Sequence, residues 1–186
     1  MDQIEFLVEK GANDFEAGLR GECQSNNPKV EVIEYFLSKG ASVMNDFLKV
    51  SALELFSNPL LSIDLLRASV ERGSLDLNWR DQREKETLFH ALIKNPACNL
   101  EMVEYAVNKG ANLKERGERG KSCLMMAVGE ENAKEVLNFL LENGEDVNYI
   151  AEIDGITALH LAARFGDLDV VQFLVSKGAK ISTAKV

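Results

Sequence analysis

Six times along this chain an amphipathic stretch runs into a glycine: IEFLVEKG at Gly11, VIEYFLSKG at Gly40, LLRASVERG at Gly73, MVEYAVNKG at Gly110, VLNFLLENG at Gly144 and VVQFLVSKG at Gly178. The intervals are 29, 33, 37, 34 and 34 residues. A period of about 33 residues, which chance likeness among apolar helices would not sustain, makes the chain an array of similar units rather than a single irregular fold.

The last unit shows what each one contains. Thr157 can cap a helix through its hydroxyl, residues 158–164 are good helix formers, and Gly166 can take the left-handed conformation that ends a helix. Asp167 then caps a second helix whose apolar residues Leu168, Val171, Leu174 and Val175 recur at spacings of three and four before Gly178. Each helix has roughly nine residues, below the 12 to 15 or so at which an isolated helix is even marginal in water, so the pair depends on neighbours. The first helix recurs less faithfully than the second. Thr87-Leu-Phe-His90 and Ser122-Cys-Leu-Met125 match Thr157-Ala-Leu-His160, Ser51-Ala-Leu-Glu54 keeps only its serine and leucine, and DFEAGLRGECQS is the least regular. Pro28, Pro59 and Pro96 each follow an asparagine and fall between paired helices, where Asn-Pro favours a turn and proline can begin the following helix. The third and fourth units carry about two extra residues at this turn, so their loops should bulge.

These units resemble the ankyrin repeat family, a hairpin loop followed by two antiparallel helices with a G-x-T-P-L-H-x-A signature. GITALHLAARFGDLDVVQFLVSKGA matches nearly throughout, with Ala158 in place of the signature proline, and GKSCLMMAVGEENAKEVLNFLLENGEDVN matches less closely. The likeness covers almost the whole chain and is strongest over residues 119–181. Tetratricopeptide repeats share the period but need longer helices and a Trp/Gly/Tyr pattern absent here. The fold class implied is an all-α ankyrin-repeat solenoid of stacked helix-turn-helix units with hairpin loops. It would form a single domain, 1–186, divided as 1–11 (partial), 12–40, 41–73, 74–110, 111–144 and 145–181.

Composition narrows the function. Thirty acidic against twenty-one basic side chains give a net charge of -9, which repels nucleic acid and anionic lipid. No apolar run approaches the length of a membrane span, and the acidic start MDQIEFLVEKG lacks the regions of a signal peptide. Cys23, Cys98 and Cys123 are an odd number of isolated thiols, which argues against disulfides and zinc and for a reducing, cytoplasmic setting. His90 and His160, the only histidines, share the fourth position of T-x-x-H, two units apart, where an imidazole ties the local turn; no shared metal or catalytic dyad is expected. GERGKS at 117–122 would need glycine at position 115 to be a phosphate loop, and Glu115 stands there. The expectation is no enzyme, no cofactor and no metal.

What remains is a surface. By likeness to the family, the contact positions are the hairpin tips, the residue before each Thr or Ser, and the exposed end of each first helix: Trp79, Arg80, Arg83, Glu86, Lys94, Arg116, Arg119, Lys121, Tyr149, Ile150, Ile156, Arg164 and Phe165. Aromatic and arginine side chains are over-represented among interface anchors. Trp79 either anchors a partner or covers the root of its own hairpin against Leu77. Residues 114–121, with four bases and two acids, either meet an acidic partner or are simply solvated; Met125 and Met126 suit core packing, the former at the cost of the histidine tie. The expected partner is another protein, bound by a monomeric adaptor or recruitment module without nucleic-acid binding or membrane insertion. The alternative is the regulatory ankyrin region of a larger enzyme, docking in cis. The final helix keeps the interior-type set Val170, Val171, Phe173, Leu174 and Val175, and the N-terminus starts with a second helix at 4–10. Both ends therefore suggest a segment of a longer protein or an end covered by another molecule.

Overall fold

The computed structural model describes residues 14–39, 41, 53, 55–71, 75–81, 85–130 and 133–181. The expected helix at 4–10, the glycines at 11, 40 and 73, most of the 51–54 signature, and Arg83 lie outside them. The chain divides into two compact units, 1–77 and 78–186.

The first unit contains α1 (Phe15–Cys23), α2 (Val30–Ser38) and α3 (Ile63–Glu71). Asp14 starts α1 by accepting the Ala17 amide hydrogen at 2.9 Å, which satisfies one of the donors a helix start leaves open. Helix α1 packs on α2, and Gly18 makes the approach possible: a β-carbon there would lie 2.4 Å from Phe36 Cζ. Helix α2 buries Val32, Ile33 and Leu37 and packs on α3, which buries Leu65, Leu66, Ala68 and Ser69.

The second unit contains three pairs: α4 (Leu88–Ile93) with α5 (Leu100–Asn108), α6 (Cys123–Ala127) with α7 (Ala133–Glu142), and α8 (Ala158–Phe165) with α9 (Leu168–Ser176). Partners pack within each pair, and like packs on like: α4, α6 and α8 form one row, and α5, α7 and α9 the other. Burial explains how such short helices persist. All six residues of α4 and all five of α6 are buried, and each fully buried leucine contributes about 2 kcal/mol that a lone helix would forgo. The three second helices end alike. Gly110, Gly144 and Gly178 take φ of +94°, +90° and +91°, and the next residue's amide reaches back five positions, from Ala111 to Ala106 O (3.0 Å), Glu145 to Leu140 O (3.0 Å) and Ala179 to Leu174 O (2.9 Å). This is the Schellman closure, which needs a left-handed residue and so favours glycine.

The prolines bear out the expected turn between helices but not the helix start. They do lie between helices, but none opens one: Pro28 precedes the cap residue Lys29, and Pro59 and Pro96 stand four positions before Ile63 and Leu100. Asn58 O accepts from the Leu61 amide (3.0 Å) and Asn95 O from the Cys98 amide (2.8 Å), while the two asparagine side chains accept from the Leu60 and Ala97 amides. The Asn58-Pro59 and Asn95-Pro96 pairs thus each fold a β-turn with proline at the second position, which houses the extra residues. In α9, Val170 and Leu174 are buried and Val171 and Phe173 half-buried, while Val175 and Leu168 are exposed. No helix among the described residues is long and apolar enough to cross a membrane.

Candidate interaction surface

Before each of α4, α6 and α8 the chain turns through a hairpin whose two arms are joined by a backbone hydrogen bond: Asp81 N–H to Glu86 O (2.8 Å), Gly117 N–H to Lys121 O (2.9 Å) and Ala151 N–H to Ile156 O (2.9 Å). The first also carries an antiparallel bridge between Arg80 and Thr87. Lys85, Arg119, Gly120 and Gly155 supply the left-handed turns.

The hairpins are tied to the next unit by a recurring bond that sequence reading missed. Asn78 donates to Gly110 O (2.9 Å), Lys114 Nζ donates to Gly144 O, and Asn148 donates to Gly178 O (3.1 Å). Asn78 and Asn148 also accept from the amides of Asn112 (2.7 Å) and Lys180 (2.8 Å). The signal was available, since an asparagine or lysine recurs at the head of each hairpin about one period apart, aimed at the carbonyl that a left-handed glycine leaves accessible.

The expected contact residues then separate by what engages them. Arg80 pairs with Glu115 (2.5 Å) and donates to Arg116 O (2.8 Å). Arg116 pairs with the buried carboxylate of Glu145 (3.3 Å) and stacks 4.3 Å above the Tyr149 ring, whose hydroxyl donates to Gly120 O (3.0 Å). Arg119 grips Asp154 through two nitrogens, and this guanidinium holds the Asp154 carboxyl below its ordinary range. Glu86 is buried and paired to Lys94 at 2.9 Å. Six of the residues thus join hairpins or hold a helix. Trp79, Lys121 and Ile156 are half-buried, the Trp79 carbonyl accepting from the Leu88 amide (3.1 Å), while Ile150, Arg164 and Phe165 are exposed. Tyr149, Ile150, Arg116, Arg119 and Lys121 gather at neighbouring tips. Arg164 and Phe165 sit at the other end of α8, where the Phe165 ring lies close to Gly129. Ile153, 67% exposed on the last tip, was not anticipated, although an isoleucine in a polar hairpin is itself a signal.

The histidines serve the signature turns. Thr87 N–H donates to His90 Nδ1 (3.0 Å) while Thr87 Oγ1 accepts from the His90 amide (3.3 Å), and Thr157 and His160 repeat the arrangement. Burial lowers His90 to about 4, which the Glu115 backbone offsets only in part, and Nε2 closes no hydrogen bond of normal geometry. Burial likewise pushes the Cys98 and Cys123 thiols up to about 12, far from a reactive thiolate. A shallow cleft between the starts of α7 and α9 is lined by Glu130, Ala133, Lys134, Glu135, Asp167, Asp169 and Val170; it contains no serine, threonine, cysteine or histidine to act as nucleophile. Among the described residues no group of three or more His, Cys, Asp or Glu side chains could hold a metal ion.

Comparison with known proteins agrees with this architecture. The family model for ankyrin repeats (3 copies) matches residues 24–151, and that for ankyrin repeats (many copies) matches residues 129–175. The chain is 27% identical over 177 residues to the ankyrin repeat and KH domain-containing protein mask-1 of Caenorhabditis elegans, covering 92% of this chain and 6% of that protein. It is 33% identical over 88 residues to the ankyrin repeat and KH domain-containing protein CBG24701 of Caenorhabditis briggsae, covering 46% and 3%. To the human transient receptor potential cation channel subfamily A member 1 it is 22% identical over 167 residues, covering 86% and 14%. The chain therefore spans only a small part of the length of these relatives.

Proposed function

The chain belongs to the ankyrin repeat family, an all-α repeat solenoid, and from that premise we propose that it binds another protein through its hairpin tips and the exposed end of α8, without catalysis. Ankyrin repeats generally mediate protein–protein interaction. One observation carries the proposal for this chain: hairpins cross-tied by Asn78, Lys114, Asn148 and three arginine pairs leave Ile150 and Ile153 exposed, and Phe165 is exposed at the far end of α8. Rigid loops presenting apolar groups lose little entropy on binding, so contacts made there convert efficiently into affinity. The role is that of an adaptor in a reducing compartment, where buried thiols persist as thiols. Because the relatives are far longer than this chain, the same surface on a longer polypeptide would also serve in cis, as a regulatory contact with a neighbouring domain.

Affinity capture from cells tests the placement. We compare wild type with a triple variant, Ile150→Asp, Arg164→Glu and Phe165→Asp, after circular dichroism confirms an unchanged fold. Specific partners should be lost from the variant. Equal recovery by both would place the binding surface elsewhere.

A further inference from the structure

Sequence alone makes residues 114–121 a positive finger, and in the structure most of its bases are already engaged. Lys114 is bonded to Gly144 O, Arg116 to Glu145 and Arg119 to Asp154. The acids beside them are not engaged in the same way: Glu118 and Glu152 are exposed, and their side chains form no ion pair or hydrogen bond among the described residues. Lys121, half-buried and close enough to Asp154 to influence it, is the one base of this finger whose side chain forms no hydrogen bond or ion pair among the described residues.

The two tips also form one platform. Arg119 clamps Asp154, the Tyr149 hydroxyl meets Gly120 O, and a β-carbon at Gly120 would lie 3.3 Å from the Glu152 amide nitrogen. With most of the bases already engaged, the platform shows a partner two isoleucines, Ile150 and Ile153, beside two unpaired carboxylates, Glu118 and Glu152, on a chain of net charge -9.

We infer that this platform takes a segment of another protein carrying an apolar side chain next to an arginine or lysine. The inference rests on the protein-binding reading above and gives it a partner chemistry. The apolar side chain would cover Ile150 and Ile153. The base would complement Glu118 and Glu152, an exposed attraction that selects partners and speeds encounter more than it adds affinity, and that weakens as salt rises.

A phage-displayed library of random dodecapeptides, panned on the full chain, tests it. Enriched peptides should place an apolar residue within two positions of arginine or lysine. Their synthetic versions should bind Ile153→Asp at least about tenfold more weakly than wild type. A Glu118→Lys, Glu152→Lys variant should instead enrich peptides with acidic flanks, a gain of binding that misfolding cannot imitate. Enrichment of acid-flanked peptides by wild type, or equal binding of basic–apolar peptides to wild type and Ile153→Asp, overturns the inference. Peptides lost only on Phe165→Asp would also overturn it while leaving protein binding at α8 intact. A library that enriches nothing removes this inference alone, because protein binding is decided by cellular capture.

Discussion

The His90 ring carries the chain's clearest pH dependence. In the folded protein it accepts from Thr87 and is shut away from water, so it takes a proton only near pH 4, whereas in the unfolded chain it does so near 6.5. Between those values the unfolded state binds more protons, so stability falls as pH falls and the loss levels off below about 4. This contribution amounts to about 1 kcal/mol between pH 7 and pH 5.5, and to about 3 kcal/mol over the full range. Urea denaturation of wild type and His90→Gln at both pH values should show the smaller loss in the variant. Identical losses would mean that the ring titrates normally when folded. The arginines show what residue type alone leaves out. Arg80 and Arg116 were sound candidates for partner anchors, but their carboxylates stand 35 and 29 positions further on, and only the fold brings those distances to a hydrogen bond.

At the level of the element, the second helices were legible because amphipathic spacing and a terminal glycine are both local. The first helices, as short as five residues, were legible only through the polar tie at their start. That tie varies among units. Thr157 and His160 exchange hydrogen bonds in both directions, whereas Ser122 accepts from the Met125 amide (3.3 Å) and methionine has nothing to return. Removing a reciprocal cap should cost more than removing a single one. Thr157→Ala is expected to lose about 1–2 kcal/mol and Ser122→Ala about 1 kcal/mol or less, read by chemical denaturation. The reverse order would show that the histidine adds nothing to the cap. The asparagine–proline turns were legible, but the helix start that proline equally allows was not realised. The deciding acceptance of Leu60 and Ala97 amides by Asn58 and Asn95 is invisible in a list of residues. The Asn78, Lys114 and Asn148 ties were missed for the opposite reason: two residue types fill one role, which hides the repeat.

For the molecule as a whole, the second unit is a double row in which each pair meets only its neighbours, so damage should stay near where it is done. Gly178 gives a clean way to apply it. Its φ of +91° is strained for any side chain and most of all for a β-branched one, yet nothing lies within 4 Å of where a β-carbon would sit, so Gly178→Val acts through the backbone and not by collision. The substitution should cost about 1–2 kcal/mol, undo the closure between Ala179 and Leu174, and loosen α9 together with α8. Hydrogen exchange read along the chain should therefore show faster amides in α8 and α9 and unchanged protection in α4 and α5. Equal loss in α4 and α5 would mean that the unit unfolds as one cooperative body, and nearest-neighbour coupling would no longer describe it.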